Sequence, residues 1–182
     1  MRNISTWEML RESFTDKTIA VVGNAESLFG KGHGWLIDTN DIVCRFNGGA
    51  IVKDPESQGT RTDVAIMSPP HIWSDTIKEL NDTVTILHLT SRFRGPDYIK
   101  TPSHINKRFE ENLGSRPSSG ALLVNLLTKH TNASKIRLYG FDWKKTPTYY
   151  NGNQISNGPH DYNTESVWMR KLRKEGKIEI ID

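Results

Sequence analysis

Short apolar runs rich in β-branched residues recur along the chain and predict buried strands. They cover residues 18–22, 42–46, 63–67, 84–89 and 135–139. The first run, 18–22, is continuous rather than alternating, which is typical of a strand covered on both faces of a parallel sheet. A sixth run, 177–181, alternates apolar and polar positions and favours an edge strand.

Helical patterns fill several of the intervals between these strands. Ser5 and Glu8 form a capping box, which predicts a short amphipathic helix that ends near Phe14. The two prolines at 69–70 predict a helix that continues to residue 80, because proline is tolerated in a first helical turn.

Two further helices are predicted in the second half of the chain. Residues 118–131 are apolar on nearly every face and predict a buried helix. Residues 165–174 predict a second one, with Val167, Trp168 and Leu172 as its apolar positions and Gly176 as its stop. Strands that alternate with helices predict an α/β fold: one Rossmann-like sandwich over residues 1–182, with a mainly parallel sheet and helices on both faces.

Length, charge and cysteine content narrow the class of protein. The 182 residues suit one domain, and 24 basic against 21 acidic residues give a net charge of +3, too little for a dedicated nucleic-acid binder. We expect neither a transmembrane segment nor a signal peptide, because no apolar stretch is long enough. Peripheral membrane contact remains compatible with this composition. The single cysteine, Cys44, excludes an internal disulfide and predicts a reducing, cytoplasmic location.

The segments after the first two strands carry candidate ligand groups, since ligands of open parallel sheets bind beyond the carboxyl ends of the strands. The first strand runs into Gly23, which would let a ligand approach, and then Asn24 and Ser27 offer neutral hydrogen-bonding groups. A flexible turn is an equally good interpretation. The second strand runs into Asn47 and two glycines, for which an ordinary turn is the favoured interpretation.

A third segment, 116–120, leads directly into the predicted buried helix. Unpaired backbone N–H groups and the helix dipole make such an N-terminus a natural anion site. Ser118 and Ser119 add hydroxyl donors, and Gly120 has no side chain to block a ligand. One of the two serines is also expected to cap the helix.

Near the end of the chain, His160 and two tyrosines are candidates for chemistry. An unperturbed imidazole can act as a general base near neutral pH, although a histidine of a surface loop is the simpler interpretation of His160 alone. Tyr149 and Tyr150 lie in the long segment 143–159 and suit either packing or ligand binding. Glu165 fits a carboxylate favoured by the dipole at a helix start.

Taken in order, these segments resemble the motifs of the sialyltransferases of glycosyltransferase family 29. The long motif is matched by 21–24, 37–38, Asp41 and 45–48, and the short motif by 117–120 through 138–141. The third motif is matched by 149–151, and the very short motif by His160 with Glu165 and Gly176.

The resemblance implies a GT-A-like variant of the Rossmann fold and inverting transfer of sialic acid, or a related acidic keto-sugar, from a CMP-activated donor. The acceptor would be a hydroxyl of a glycan or glycolipid, and neither a metal nor a cofactor would take part. The missing Asp-x-Asp triplet agrees with a metal-free site. By resemblance, His160 is the general base, and the donor contacts are Asn24, Ser27, Asn47, Ser118, Ser119, Gly120, Tyr149 and Tyr150.

Some positions depart from the family pattern. Ser27 stands where the long motif usually has a second asparagine, and Thr148 where the third motif usually opens with histidine. Ile19 and Ala133 match the positions of a disulfide that is common in the family. Thr148 motivates a second hypothesis, a catalytically inactive nucleotide-binding module of the same fold. A dinucleotide or methyl-donor enzyme is a weaker third, because its glycine fingerprint and acidic ribose partner are missing.

Overall fold

In the computed structural model, which describes residues 5–89, 98–150 and 159–182, every strand belongs to one parallel sheet. The strands are β1 (Thr18–Val22), β2 (Ile42–Phe46), β3 (Val64–Ile66), β4 (Thr85–His88), β5 (Ile99–Lys100), β6 (Lys135–Tyr139) and β7 (Glu179–Ile181). Their spatial order is β5-β4-β3-β2-β1-β6-β7. The chain thus adds strands on one side of β1 and then switches to the other side at β6, and ligand crevices open at such a switch point.

Helices connect the strands and cover both faces of the sheet. They are α1 (Trp7–Ser13), α2 (Gly34–Asp38), α3 (Pro55–Gln58), α4 (Ser74–Glu79), α5 (Ser103–Leu113), α6 (Ser119–His130) and α7 (Tyr162–Lys174). On β1, Ile19 and Val21 face the main core, which also holds buried side chains of α1, α5, α6 and α7. Ala20 and Val22 face the opposite side and pack with Ile37 of α2. The predicted α/β sandwich with helices on both faces is confirmed.

The predicted buried helix corresponds to α6. Residues 121–127 are all buried, so the helix is covered around its whole circumference. Ser118 is its N-cap, and its hydroxyl accepts a hydrogen bond from the Ala121 amide at 3.2 Å. The capping role expected of one of the two serines therefore belongs to Ser118.

Several predicted boundaries are wrong for local reasons. The N-cap of α1 is Thr6 rather than Ser5, because the Thr6 hydroxyl accepts from the Met9 amide at 3.2 Å. The segment predicted as one helix from 69 opens instead with a 3₁₀ turn, Pro70–Trp73, and becomes α-helical only at Ser74. The last helix begins at Tyr162, three residues early, because the Asp161 carboxylate caps it. Val167, predicted to face the core, is 65% exposed.

The positions that match the family disulfide are held by packing. Ile19 is fully buried in the main core, and Ala133 is partly buried against the same core. Cys44 on β2 is free and buried, and burial raises the pKa of its thiol. Within the described ranges, no helix is both long and apolar enough to cross a bilayer.

Gly23 marks the closest approach between the segments that follow β1 and β6. A Cβ at this position would lie 2.4 Å from the carbonyl oxygen of Gly140 and 3.1 Å from the Phe141 ring. The Gly23 amide donates to the carbonyl of Tyr139 at 2.8 Å. The missing side chain therefore admits a second stretch of backbone, and the approach of a ligand to Gly23 stays a prediction.

Replacing Gly23 with alanine is expected to lower the free energy of unfolding by about 3 kcal/mol, because a backbone carbonyl cannot move aside as a flexible side chain can. Urea unfolding measures the loss. Gly30→Ala is the matched control: its φ of 71° strains an alanine, but no atom lies within 4 Å of the added Cβ. Equal losses of stability in Gly23→Ala and Gly30→Ala would show that the close approach of Gly23 to Gly140 contributes little.

Candidate functional site

An open cleft of about 550 Å³ lies at the carboxyl ends of β1, β2 and β6. It is closed on one side by the start of α6 and on another by the start of α7. The size falls within the range of ligand pockets. Seven of the nine predicted site residues line it: Asn24, Asn47, Ser118, Ser119, Gly120, Tyr150 and His160.

Asn24 links three parts of the cleft wall. Its amide nitrogen donates to the Phe46 carbonyl at 3.1 Å and to the Tyr150 hydroxyl at 3.0 Å. The Tyr149 hydroxyl lies 3.5 Å from its amide oxygen. A Cβ on Gly49 would stand 2.0 Å from that oxygen, so only glycine fits beside Asn24. The end of β1 is thereby tied to the end of β2 and to the tyrosine pair.

Backbone hydrogen bonds hold the segment that carries Tyr149 and Tyr150 against the end of β1. Ala25 and Thr148 form an antiparallel bridge, and the amides of Glu26 and Tyr149 donate to Pro147 and Asn24 at 2.9 and 3.2 Å. Burial raises the pKa of the Tyr150 hydroxyl. The phenol therefore stays protonated at neutral pH and can donate a hydrogen bond.

Ser27 and Tyr149 do not line the cleft but support it. The Ser27 hydroxyl donates to the Asp142 carboxylate at 3.1 Å, and its amide donates to the Thr146 hydroxyl at 3.1 Å. The Tyr149 ring packs edge-on against Phe29 at 5.0 Å. Direct donor contacts by Ser27 and Tyr149 stay predictions. Asn151, the last residue of the matched third motif, lies outside the described residues.

Asn47 fits both interpretations of the sequence, an ordinary turn and a group at the ligand site. It has a left-handed φ of 51° and begins the 3₁₀ turn Asn47–Ala50, so the turn interpretation is right. Its side-chain oxygen accepts from the Ser68 amide at 2.9 Å, and Asn47 also lines the cleft.

The start of α6 already holds a carboxylate of the protein itself. The amide and hydroxyl of Ser118 donate to the two oxygens of Glu165 at 2.6 and 2.7 Å. Glu165 is only 2% exposed, and burial raises the pKa of its carboxyl more than these hydrogen bonds lower it. Of the described chain, no group accepts from the amides of Ser119 and Gly120, which leaves these two for a ligand.

His160 is held in one tautomer. Its Nδ1 lies 3.0 Å from the Arg116 carbonyl oxygen, and because a carbonyl only accepts, Nδ1 must carry the proton. In the neutral ring the lone pair is then on Nε2. Since His160 lines the cleft, this is the arrangement that a general base requires.

Two cations of the cleft wall were missed by sequence reasoning. Arg116 lines the cleft beside His160, and Lys144 lines it beside Thr148. Arg116 directly precedes the matched short motif, so its place in the sequence could have indicated that it lines the cleft. Lys144 lies between motifs, and no spacing marks it.

A cleft at the switch point of the strand order, with free amides at a helix start, is typical of the doubly wound α/β class, whose ligands bind there. A model of glycosyltransferase family 29 (sialyltransferase) matches residues 9–106. The chain belongs to this family.

Similar sequences include a type 2 lactosamine alpha-2,3-sialyltransferase of Pan troglodytes, 36% identical over 89% of this chain. The protein of the same name from Homo sapiens is 35% identical over 39% of the chain. The chain spans 63% of the length of the chimpanzee relative and 22% of the human one.

Solved structures of sialyltransferases share the fold. A mammalian sialyltransferase in complex with Gal-beta-1-3GalNAc-ortho-nitrophenol superposes with a TM-score of 0.62 and 24% identity, covering 91% of this chain and 69% of its own. CstII from Campylobacter jejuni, in complex with cytidine-5'-monophosphate, superposes with a TM-score of 0.53 and 18% identity, covering 90% of this chain and 78% of its own.

Proposed function

We propose that this chain is a metal-independent, inverting sialyltransferase. It would move sialic acid, or a related acidic keto-sugar, from a CMP-activated donor to a glycan hydroxyl. The observation that carries the proposal is the placement of His160, with its free Nε2, in the same cleft as the free amides of α6 in a chain of family 29. The names of the relatives and the nucleotide bound to CstII support a cytidine-linked donor and a glycan acceptor.

In the proposed reaction the acceptor hydroxyl attacks the anomeric carbon from the face opposite CMP. His160 Nε2 takes the hydroxyl proton, while the Arg116 carbonyl holds Nδ1–H and stabilises the imidazolium that forms. The bond from the anomeric carbon to the phosphate oxygen breaks, and its electron pair stays on the phosphate. The amides of Ser119 and Gly120 and the Tyr150 hydroxyl are suited to stabilise that charge.

Two further points belong to the proposal. The sequence has no Asp-x-Asp triplet, and helix amides and hydroxyls would take the part that a divalent ion plays in other transferases. A cytoplasmic location would suit a chain whose single cysteine is free, and the proposed transfer needs no cofactor.

The test is an assay with CMP-sialic acid and a type 2 lactosamine acceptor, carried out with and without a chelator. We expect CMP release that depends on the acceptor, an inverted anomeric centre in the product, and no effect of the chelator. CMP binding without turnover over a panel of donors and acceptors would instead support the inactive binding module, which Thr148 motivates. A chain that binds neither CMP nor donor would contradict both.

A further inference from the structure

Lys144 is a half-buried cation of the cleft that has no ion pair with a carboxylate of the described chain. Its ammonium donates to the hydroxyl of Thr148. Asp142, two residues earlier, already accepts hydrogen bonds from Ser27 and Thr146. Burial lowers the pKa of Lys144 more than the charge of Asp142 raises it. The ammonium is therefore partly desolvated without being neutralised, and an anionic ligand would remove that cost.

The backbone around Lys144 is unusual in a way that places this side chain. Trp143 and Lys144 are consecutive left-handed residues, with φ of 55° and 63°. Such conformations are strained for residues other than glycine and persist where surrounding contacts impose them. Here the Asp142 carboxylate accepts from the Thr146 amide at 2.9 Å and closes the turn. Strained residues of this kind cluster at ligand sites.

The position of Lys144 suits the phosphate of a cytidine nucleotide. Lys144 is tied through Thr148 to Ala25, the neighbour of Asn24, which the family resemblance places along the nucleotide. Thr148 itself stands where the family's third motif usually opens with histidine. A neutral hydroxyl replaces an imidazole there, and the lysine bonded to that hydroxyl restores a charged donor.

We propose that Lys144 binds the phosphate of the cytidine nucleotide and offsets the negative charge that remains on CMP after transfer. The proposal rests on the proposed function and deepens it. As the bond between anomeric carbon and phosphate oxygen breaks, its electron pair goes to that oxygen and the acceptor proton goes to His160. Lys144 keeps its own protons and contributes a charge-assisted hydrogen bond to the phosphate.

Binding of CMP and of cytidine by calorimetry tests the proposal, because only CMP carries the phosphate. Lys144→Met is expected to weaken CMP binding about 10- to 100-fold, the usual range for a hydrogen bond between charged groups, and to leave cytidine binding unchanged. Lys145→Met is the matched control, since Lys145 is exposed and does not line the cleft. Lys144→Arg retains the charge and is expected to retain most of the CMP affinity.

Each outcome bears on a different claim. Equal CMP affinity in the wild type and Lys144→Met would overturn the role of Lys144 and leave the proposed function intact. A parallel loss of cytidine binding would also overturn it, because the lysine would then be shaping the site rather than meeting the phosphate. A wild-type chain that binds neither compound would overturn the proposed function and this inference together. We expect Lys144→Met to melt no lower than the wild type, and Lys144→Gln provides the same contrast if the methionine variant misfolds.

Discussion

Replacing His160 with alanine is expected to lower kcat for sialyl transfer by about 100- to 10,000-fold, the range that a positioned general base contributes. The acceptor hydroxyl is a poor nucleophile until its proton leaves, and the proposed base is Nε2 of His160, which the hydrogen bond from Nδ1 to the Arg116 carbonyl orients. Steady-state kinetics with CMP-sialic acid and the glycan acceptor measure the loss. CMP affinity, followed by calorimetry, is expected to stay unchanged.

His104→Ala is the matched control for this experiment. His104 is an exposed histidine on α5 that does not line the cleft, and its loss should leave kcat unchanged. Wild-type kcat in His160→Ala would remove His160 as the base. A large fall in CMP affinity without a fall in kcat would assign His160 to donor binding instead.

The central part of the fold could be predicted because burial leaves a strong trace in the sequence. β1 and β2 are covered on both sides, and both are rich in apolar residues, although β2 also holds the buried Arg45. β5 and α5 left no such trace. β5 has two residues, Ile99–Lys100, and α5 has a single buried residue, Phe109. Elements this short or this polar are stabilised by contacts with the rest of the fold, which a local pattern does not contain.

The cleft lining was predicted largely from topology. The carboxyl ends of neighbouring parallel strands meet at one edge, and this places Asn24 and Asn47 together without any knowledge of the side chains. The partners of those side chains could not be predicted. Ser27 turns to Asp142, 115 positions away, and Ser118 meets Glu165, 47 positions away. Hydrogen bonds over such separations depend on how the finished elements pack.

Lys144 shows a second reason for a missed residue. Lys144 reaches the cleft from a turn in which Trp143 and Lys144 are both left-handed, and neither residue type favours that conformation. Turn prediction depends on glycine and asparagine at such positions, as at Asn47. Where the surrounding structure imposes the conformation on other residues, the sequence carries no signal of it.

Replacing Glu165 with alanine is expected to lower the free energy of unfolding by about 2–4 kcal/mol, because the amide and hydroxyl of Ser118 would lose their hydrogen-bond partners in a buried position. Chemical denaturation measures the change. Glu110→Ala on α5 is the matched control: this carboxylate is exposed, and its removal should change stability by about 0.5 kcal/mol or less. A similar loss in both variants would show that the Ser118 contact contributes little.

The pH dependence of the unfolding free energy, compared between wild type and Glu165→Gln, shows whether burial or hydrogen bonding has the larger effect on the pKa of the Glu165 carboxyl. Burial raises its pKa in the folded chain above that of an unfolded glutamate. The stability that wild type gains from the protonated group is therefore complete below the unfolded pKa and is lost as pH rises through the raised one. We expect the difference in unfolding free energy, wild type minus Glu165→Gln, to fall as pH rises above the unfolded pKa of about 4.3 and to level off above the raised pKa of the folded chain.

A difference that grows with pH would mean that the hydrogen bonds from Ser118 outweigh burial and lower the pKa instead. That outcome would also change the electrostatics of the cleft. An ionised Glu165 at the start of α6 repels a donor phosphate, whereas a protonated one leaves the dipole of the helix available to it. The protonation state of Glu165 thus decides how strongly the amides of Ser119 and Gly120 can attract an anion.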